Sequence, residues 1–299
     1  MDTLKKQQYI QYFMKDKIKA IALSGGGAHT LSYLGLWKYI HDDHHYCPDI
    51  ISGTSGGALC GCFMAAGLDA TVIKKKILEI NPKHLFQIAP ARWLTHFVSS
   101  WGIVNTDKIQ EMIKDTLDEF DITWDSFQDT KFQCVVTDLN DGSRVYCPDE
   151  LDMPLDVAIT ASIAIPGVFE PIRYGSSHKE AHFYVDGGVC EGFPIKSLVE
   201  DDFSDFKIMA VTHSDPREKK HIQISKLSEY FQALSNAVLS SKSVDMLDLL
   251  DSDRGDIILF TGSQAKKALD FSKETIEKNF ALGYERANKY SKEIDAFFQ

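Results

Sequence analysis

The sequence contains no C-x-x-C pair, no N-x-[ST] sequon and no G-K-[ST] phosphate loop. Its six cysteines, at 47, 60, 62, 134, 147 and 190, are too scattered for zinc-ligand spacing. They are also too sparse for a disulfide scaffold, so free thiols in a reducing compartment are expected. Basic charge is in deficit: 32 Lys and Arg stand against 43 Asp and Glu, a formal net charge of -11. Such a chain repels phosphate backbones, which argues against nucleic-acid binding, and it is drawn to anionic membranes only through a local basic patch. Met1 to Lys6 lacks the apolar core of a secretory signal. The longest uncharged run, Ile50 to Leu68, is long enough to suggest a membrane span, but its five glycines make poor membrane-helix composition. We read a cytoplasmic protein, with peripheral contact to membranes left open.

What is present is ordinary globular composition, 44% apolar and 25% charged over 299 residues, enough to bury a core without staples. Residues 1 to 17 form a basic arm (Lys5, Lys6, Lys15, Lys17) in which Ile10, Phe13 and Met14 stand at helical spacing. Lys19 to Leu23 reads as a buried strand entering Gly25-Gly26-Gly27, followed by a helix through Leu31, Leu34, Trp37 and Ile40. A second strand closes at Gly53, and Ala58 to Ala66 is helical, with Gly67 where a left-handed stop belongs. Two strand–glycine turn–helix units in succession predict an α/β fold with a mainly parallel central sheet flanked by helices. Further on, Phe132–Asp138 and Ser143–Cys147 flank Asn140-Asp141-Gly142, a hairpin signal. Strands follow at 172–174, 182–185, 207–213 and 256–260, and a single helix is expected from Ser272 to Phe298. With no break in composition, residues 18 to 299 read as one domain, its motif-bearing core at 18–196 and its completion at 197–299.

Three motifs carry chemistry. Gly53-Thr54-Ser55-Gly56-Gly57 fits G-x-S-x-G between a strand and a helix, the context that leaves a serine exposed at a helix N-terminus. There the helix dipole favours an alkoxide-like nucleophile; the bland alternative is a glycine-rich helix cap. Gly25, Gly26 and Gly27 can present backbone N–H groups to a developing oxyanion. A dinucleotide loop competes for these glycines, but Thr30 occupies the third glycine position of G-x-G-x-x-G. Asp186-Gly187-Gly188, at a strand end, can bring a carboxylate close to a second backbone or can be a plain turn.

Taken together and in order, these blocks resemble the patatin-like phospholipase family. So does Ala161-Ser162-Ile163-Ala164-Ile165-Pro166-Gly167-Val168-Phe169, which is similar to the family's Ala-Ser-x-Ala-x-Pro-x-x-Phe block. The resemblance implies a patatin-like three-layer fold and an acyl hydrolase working by a Ser–Asp dyad, without catalytic histidine, metal or cofactor. Ser55 would be the nucleophile, Asp186 its base, and the amides of Gly25 to Gly27 the oxyanion hole. Substrates would be fatty-acyl esters of phospholipids, lysophospholipids or glycerides, met at a membrane or lipid-aggregate surface. Where the family usually continues with x-[Arg/Lys]-Gly, this chain has Ala28-His29-Thr30.

Two other readings stay open. One is a catalytically silent lipid- or partner-binding protein on the same fold. The other is a Ser–Asp–His triad of Ser55, Asp138 or Asp186, and His213; His182 is read as a structural or access residue. Trp93, Phe97 and Trp101 lie at i, i+4, i+8 and form either a core stripe or an exposed acyl groove. The sequence leaves head group and oligomeric state undetermined.

Overall fold

A computed structural model of the chain describes residues 17–79, 100–175, 177, 180–199, 206–218 and 245–299. The basic arm at 1–17, apart from Lys17, lies outside these residues, as do Trp93 and Phe97.

β1 (Ile18–Leu23) lies inside an eight-stranded sheet, parallel to β2 (Ile50–Thr54) on one side and to β7 (Phe206–Thr212) on the other. β3 (Lys131–Asp138) runs parallel to β2, and β8 (Ile257–Phe260) parallel to β7. β4 (Arg144–Cys147), β5 (Ile172–Tyr174) and β6 (His182–Asp186) supply the antiparallel pairings. The hydrogen-bonded order is β5-β6-β3-β2-β1-β7-β8, with β4 also on β3. The expected mainly parallel α/β sheet is thus what forms, and Gly142 takes the hairpin's positive φ of 76°.

Strand alternation splits the core into two layers. Ile21, Leu23, Met209 and Val211 join the larger apolar cluster, whereas Ala20, Ala22, Ile208 and Ala210 join a smaller one with Phe193 and Ile195. A parallel sheet covered on both faces needs such continuous apolar strands, and each Leu- or Ile-sized side chain buried there is worth about 1.5–3 kcal/mol.

The first helix among the described residues is α1 (Leu31–Trp37), entered through a 3₁₀ turn at Gly27–Thr30 and continued by a π-helical segment, Lys38–Asp43. α2 (Gly56–Ala65) is buried at nine of its ten positions, which explains the membrane-like run: it is a helix enclosed by the core. It ends in a Schellman motif, with Gly67 at φ 73°, the Leu68 N–H on Phe63 O and the Gly67 N–H on Met64 O. Among the described residues, no helix is long and apolar enough to cross a membrane. The sequence reading missed α3 (Ala70–Glu79) and α4 (Asp107–Glu119); α5 (Leu155–Ser162) runs into the Ala-Ser-x-Ala block.

The expected single closing helix is two, α7 (Lys273–Lys289) and α8 (Ser291–Phe298), after the short α6 (Gly188–Glu191). The break at Tyr290 turns α8 inward. Phe298 then stacks on Tyr46 at 4.7 Å, and Asp295 accepts from the Tyr39 and Tyr46 hydroxyls, each at 3.2 Å. A straight continuation would carry Ile294, Phe297 and Phe298, all buried here, away from the core.

Candidate active site

The register of β3 brings two distant motifs together. β2 pairs with residues 131–135 of β3 and β6 with 136–138, while β4 occupies 134–137. A strand has two edges, so β2 and β6 share one edge of β3 and β4 takes the other. β2 runs parallel to β3 and β6 antiparallel, so their carboxyl ends meet head to head, Thr54 opposite Val135 and Asp186 opposite Val136. Ser55 and Asp186 therefore converge although 131 residues separate them.

Ser55 sits in the turn between β2 and α2 at φ 55°, ψ −126°. A non-glycine residue held there stores about 1–3 kcal/mol of backbone strain, which is the geometry of a strand–turn–helix elbow. Close packing enforces it: a Cβ at Gly57 would lie 2.4 Å from Leu23 O, and one at Gly53 2.6 Å from Gly57 O. The Ser55 N–H donates to Ser162 Oγ at 3.0 Å, and the Ser162 hydroxyl donates to Val135 O at 2.7 Å. Ser162 ends α5. Two residues on, Ala164 O accepts the Asp186 N–H at 3.0 Å. The Ala-Ser-x-Ala block thus fastens both convergent residues.

Asp186 is fully buried. Its Oδ1 accepts from the Gly188 N–H at 2.8 Å, whereas Oδ2 is buried and makes no hydrogen bond among the described residues. Burial pushes its carboxyl up to about 7; the nearby Ser55 hydroxyl and the Gly188 amide only partly offset this. The hydroxyl thus favours the carboxylate without the geometry of a formed hydrogen bond. A Cβ at Gly187 would meet Val135 O at 2.2 Å, so the turn after Asp186 lies flat against β3.

The turn's remaining polar groups form a scaffold that the sequence did not reveal. Glu191 is 1% exposed; it accepts from the Tyr146 hydroxyl at 2.6 Å and the Lys196 N–H at 2.9 Å, and pairs with Arg144. Thr54 Oγ1 donates to Glu191 O at 2.9 Å, tying this turn to the elbow.

The three candidate oxyanion glycines separate. The Gly25 N–H is committed to Gly192 O at 2.9 Å, so the expectation that all three amides serve is corrected for Gly25. Among the described residues the Gly26 (φ 156°) and Gly27 (φ 54°) amides find no acceptor, and both hold positive φ that only glycine adopts freely. At the first turn of α2 the amides of Gly56 and Gly57 also lack an intrahelical acceptor, since the bonds of the helix begin with the Ala58 N–H on Ser55 O at 2.9 Å.

The histidines lie to either side. His213 follows β7 and stacks on His29, ring centroids 4.8 Å apart, against Gly26. His182 binds Asp138 Oδ2 through Nδ1 at 2.5 Å, and Asp138 holds the imidazole above its usual range. Asp138, one carboxylate of the triad reading, is therefore engaged by His182. Trp101 is 56% exposed and stands at φ 61°, off the right-handed helix that an i, i+4, i+8 stripe requires.

The site thus sets a serine on a tight strand–helix elbow beside a buried carboxylate, within a mainly parallel α/β sheet. The patatin-like phospholipase family model matches residues 21–199, more than half of the chain, and the chain belongs to that family. Relatives include an uncharacterized protein of Acanthamoeba polyphaga mimivirus, 26% identical over 82% of this chain and 84% of its own length. YqhO of Bacillus subtilis, also uncharacterized, is 29% identical over 58% of this chain and 64% of its own length. An uncharacterized NTE family protein of Mycobacterium tuberculosis is 31% identical over 60% of this chain and 45% of its own. The chain thus spans less than two thirds of the latter two. Among solved structures, VipD of Legionella pneumophila matches 94% of this chain and 67% of its own at 16% identity and TM-score 0.48. ExoU of Pseudomonas aeruginosa, in complex with SpcU, matches 95% and 53% at 11% identity and TM-score 0.43.

Proposed function

We propose that this protein is a serine acyl hydrolase that cleaves fatty-acyl esters of phospholipids, lysophospholipids or glycerides through a Ser55–Asp186 dyad. The observation that carries the reading is the meeting of a strained, turn-borne serine with a buried carboxylate whose Oδ2 has no other partner among the described residues. A carboxylate raised to about 7 is a far better base than an ordinary one and is half deprotonated near neutral pH. Asp186 takes the Ser55 proton as Oγ attacks the ester carbonyl. The developing oxyanion meets the free amides of Gly26, Gly27 and Gly56, where one well-placed donor is worth about 3 kcal/mol. Collapse expels the alcohol, which takes the proton back from Asp186. Water, activated by the same carboxylate, then hydrolyses the acyl-enzyme.

The Gly188 amide and the Ser55 hydroxyl border the Asp186 carboxyl, while His213 stacks on His29 against Gly26, an arrangement that supports a dyad over a triad through His213. A small apolar cavity walled by Leu59 and Phe63 of α2, with Ile73, Ile77, Met112 and Phe120, lies along the same helix. We assign residues 18–299 to one catalytic unit, working in the cytoplasm and meeting lipid aggregates transiently. The test is labelling by a fluorophosphonate probe, followed by a lipid panel with product analysis by mass spectrometry. Modification of Ser55 and release of fatty acid, both lost in Ser55→Ala, are expected. Absence of both in the wild-type protein leaves the silent binding protein as the answer.

A further inference from the structure

α7 carries a buried asparagine with no role in the chemistry above. Asn279 is 0% exposed. Its Nδ2 donates to Ala28 O at 2.9 Å, and its Oδ1 accepts from the Gln264 N–H at 2.6 Å and the Ser263 hydroxyl at 3.3 Å. The opposite amide orientation would set oxygen against the Ala28 carbonyl and NH₂ against the Gln264 N–H, so the side chain has one satisfied state. Ser263 Oγ also meets His29 Nδ1 at 2.9 Å, and the Ala28 N–H donates to Ala268 O at 2.6 Å. Segment 263–279 therefore holds both the N–H and the C=O of Ala28, the residue after Gly27.

Helix packing puts Asn279 there. α1 and α7 cross with their backbones in contact: a Cβ at Gly283 would lie 1.8 Å from Ser32 O, and one at Gly35 2.1 Å from Phe280 O. Asn279 is one turn before Gly283, on the same face of α7. It thus faces the loop that leads into α1.

We propose that Asn279 is a positioning residue for acyl transfer. It fixes the backbone of Gly26 to Ala28, so that the free amides of Gly26 and Gly27 keep one orientation towards an oxyanion on Ser55. This rests on the Ser55 hydrolase reading. It also assigns a task at the site to residues 263–279, which lie beyond the 21–199 matched by the family model.

The test compares wild type with Asn279→Ala, Ser263→Ala and the control Asn288→Ala, an exposed asparagine of α7 whose side chain donates to Tyr284 O within the same helix. Rates on a soluble acyl ester are normalised to active sites titrated with fluorophosphonate, which removes any unfolded fraction. Inhibition is measured with a long-chain trifluoromethyl ketone, which forms an oxyanion adduct with Ser55, and with the corresponding uncleavable ether. Hydrogen exchange is followed by mass spectrometry in the peptide 24–30.

For Asn279→Ala, kcat per titrated site falls about tenfold or more with KM within about twofold, the pattern of an interaction made in the transition state. Ketone affinity falls by the same factor, ether affinity holds, and peptide 24–30 exchanges faster. Ser263→Ala shows a smaller loss of the same kind and carries the test should Asn279→Ala not fold; Asn288→Ala matches wild type. Unchanged kcat per site, equal losses of ketone and ether affinity, or unchanged exchange at 24–30 would each overturn the proposal. A wild-type protein that neither hydrolyses nor labels would instead sink the hydrolase reading and the catalytic role with it, while the exchange measurement still decides whether Asn279 holds the loop.

Discussion

The backbone N–H of Ser55 donates to the hydroxyl of Ser162 at 3.0 Å, across 107 residues of sequence. That bond joins the G-x-S-x-G elbow to the Ala-Ser-x-Ala block, and Ala164 extends the link by accepting the Asp186 N–H. The two residues proposed to share a proton therefore hang from one turn at the end of α5. A shift of that turn moves both.

Ser162→Ala tests this dependence. The substitution removes the acceptor of the Ser55 N–H and a donor to the Val135 carbonyl in a buried site, and leaving a buried polar group unsatisfied costs about 1–3 kcal/mol. Reduced unfolding free energy in urea, with lowered kcat per fluorophosphonate-titrated site, is expected. Wild-type values of both would show that the elbow holds itself.

The raised carboxyl of Asp186 sets the pH dependence of the reaction. As a base it works only when deprotonated, so kcat/KM should climb with pH through an apparent pKa near 7 and level off above it. Asp186→Asn should match Ser55→Ala in damage, because members of one catalytic unit fail together. His213→Ala should retain most activity. A rising limb near 4, or the reverse ranking of Asp186 and His213, would contradict the dyad.

The same group should make the fold more stable in mild acid than at neutrality. Folding raises the Asp186 carboxyl from 3.8 to about 7. Between those values the native state binds a proton that the unfolded chain does not, so this contribution is full below pH 4 and is lost as pH rises through 7. Asp186→Asn, which never carries the buried charge, should flatten that slope and exceed wild type in stability above pH 7 by a few kcal/mol at most. Urea midpoints of both proteins from pH 4.5 to 8 measure it, and parallel curves would show that the carboxylate is better solvated than its burial implies.

The parts legible in the sequence were those with a local cause. Gly67 and Gly142 announced a helix end and a hairpin because positive φ has few tenants, and both stand there at φ 73° and 76°. Ser55 was legible from its flanking glycines, which the packing of Gly53 and Gly57 against neighbouring backbone demands. The convergence of Ser55 with Asp186 was not, because it depends on β2 and β6 sharing an edge of β3, a matter of register between strands far apart in the chain. Gly25 misled for the same reason: its acceptor, Gly192 O, lies 167 residues away. Glu191, Ser162 and Asn279 carry no periodic signal, since a buried polar residue is intelligible only from its partners. The break at Tyr290 was hidden because its cause lies in Tyr39 and Tyr46.

Two glycine-to-alanine substitutions should separate loop geometry from simple backbone cost. Gly27 and Gly142 both hold left-handed φ, 54° and 76°. An alanine in that region costs about 1–2 kcal/mol wherever it sits. At Gly142 nothing lies within 4 Å of the added Cβ, so the cost should stop there: a modest drop in Tm and unaltered kcat. At Gly27 the Cβ would fall 2.3 Å from Ala268 O, the acceptor of the Ala28 N–H. Neither backbone can yield without breaking that bond, so the loop must move away from residue 268 and carry the Gly26 and Gly27 amides with it. Gly27→Ala should therefore lose at least about tenfold in kcat per titrated site, the scale of a displaced oxyanion donor, beyond a stability loss larger than that of Gly142→Ala. Equal kcat in the two variants, measured on the same soluble ester, would mean that the Gly26–Gly27 amides do not face the reacting carbonyl.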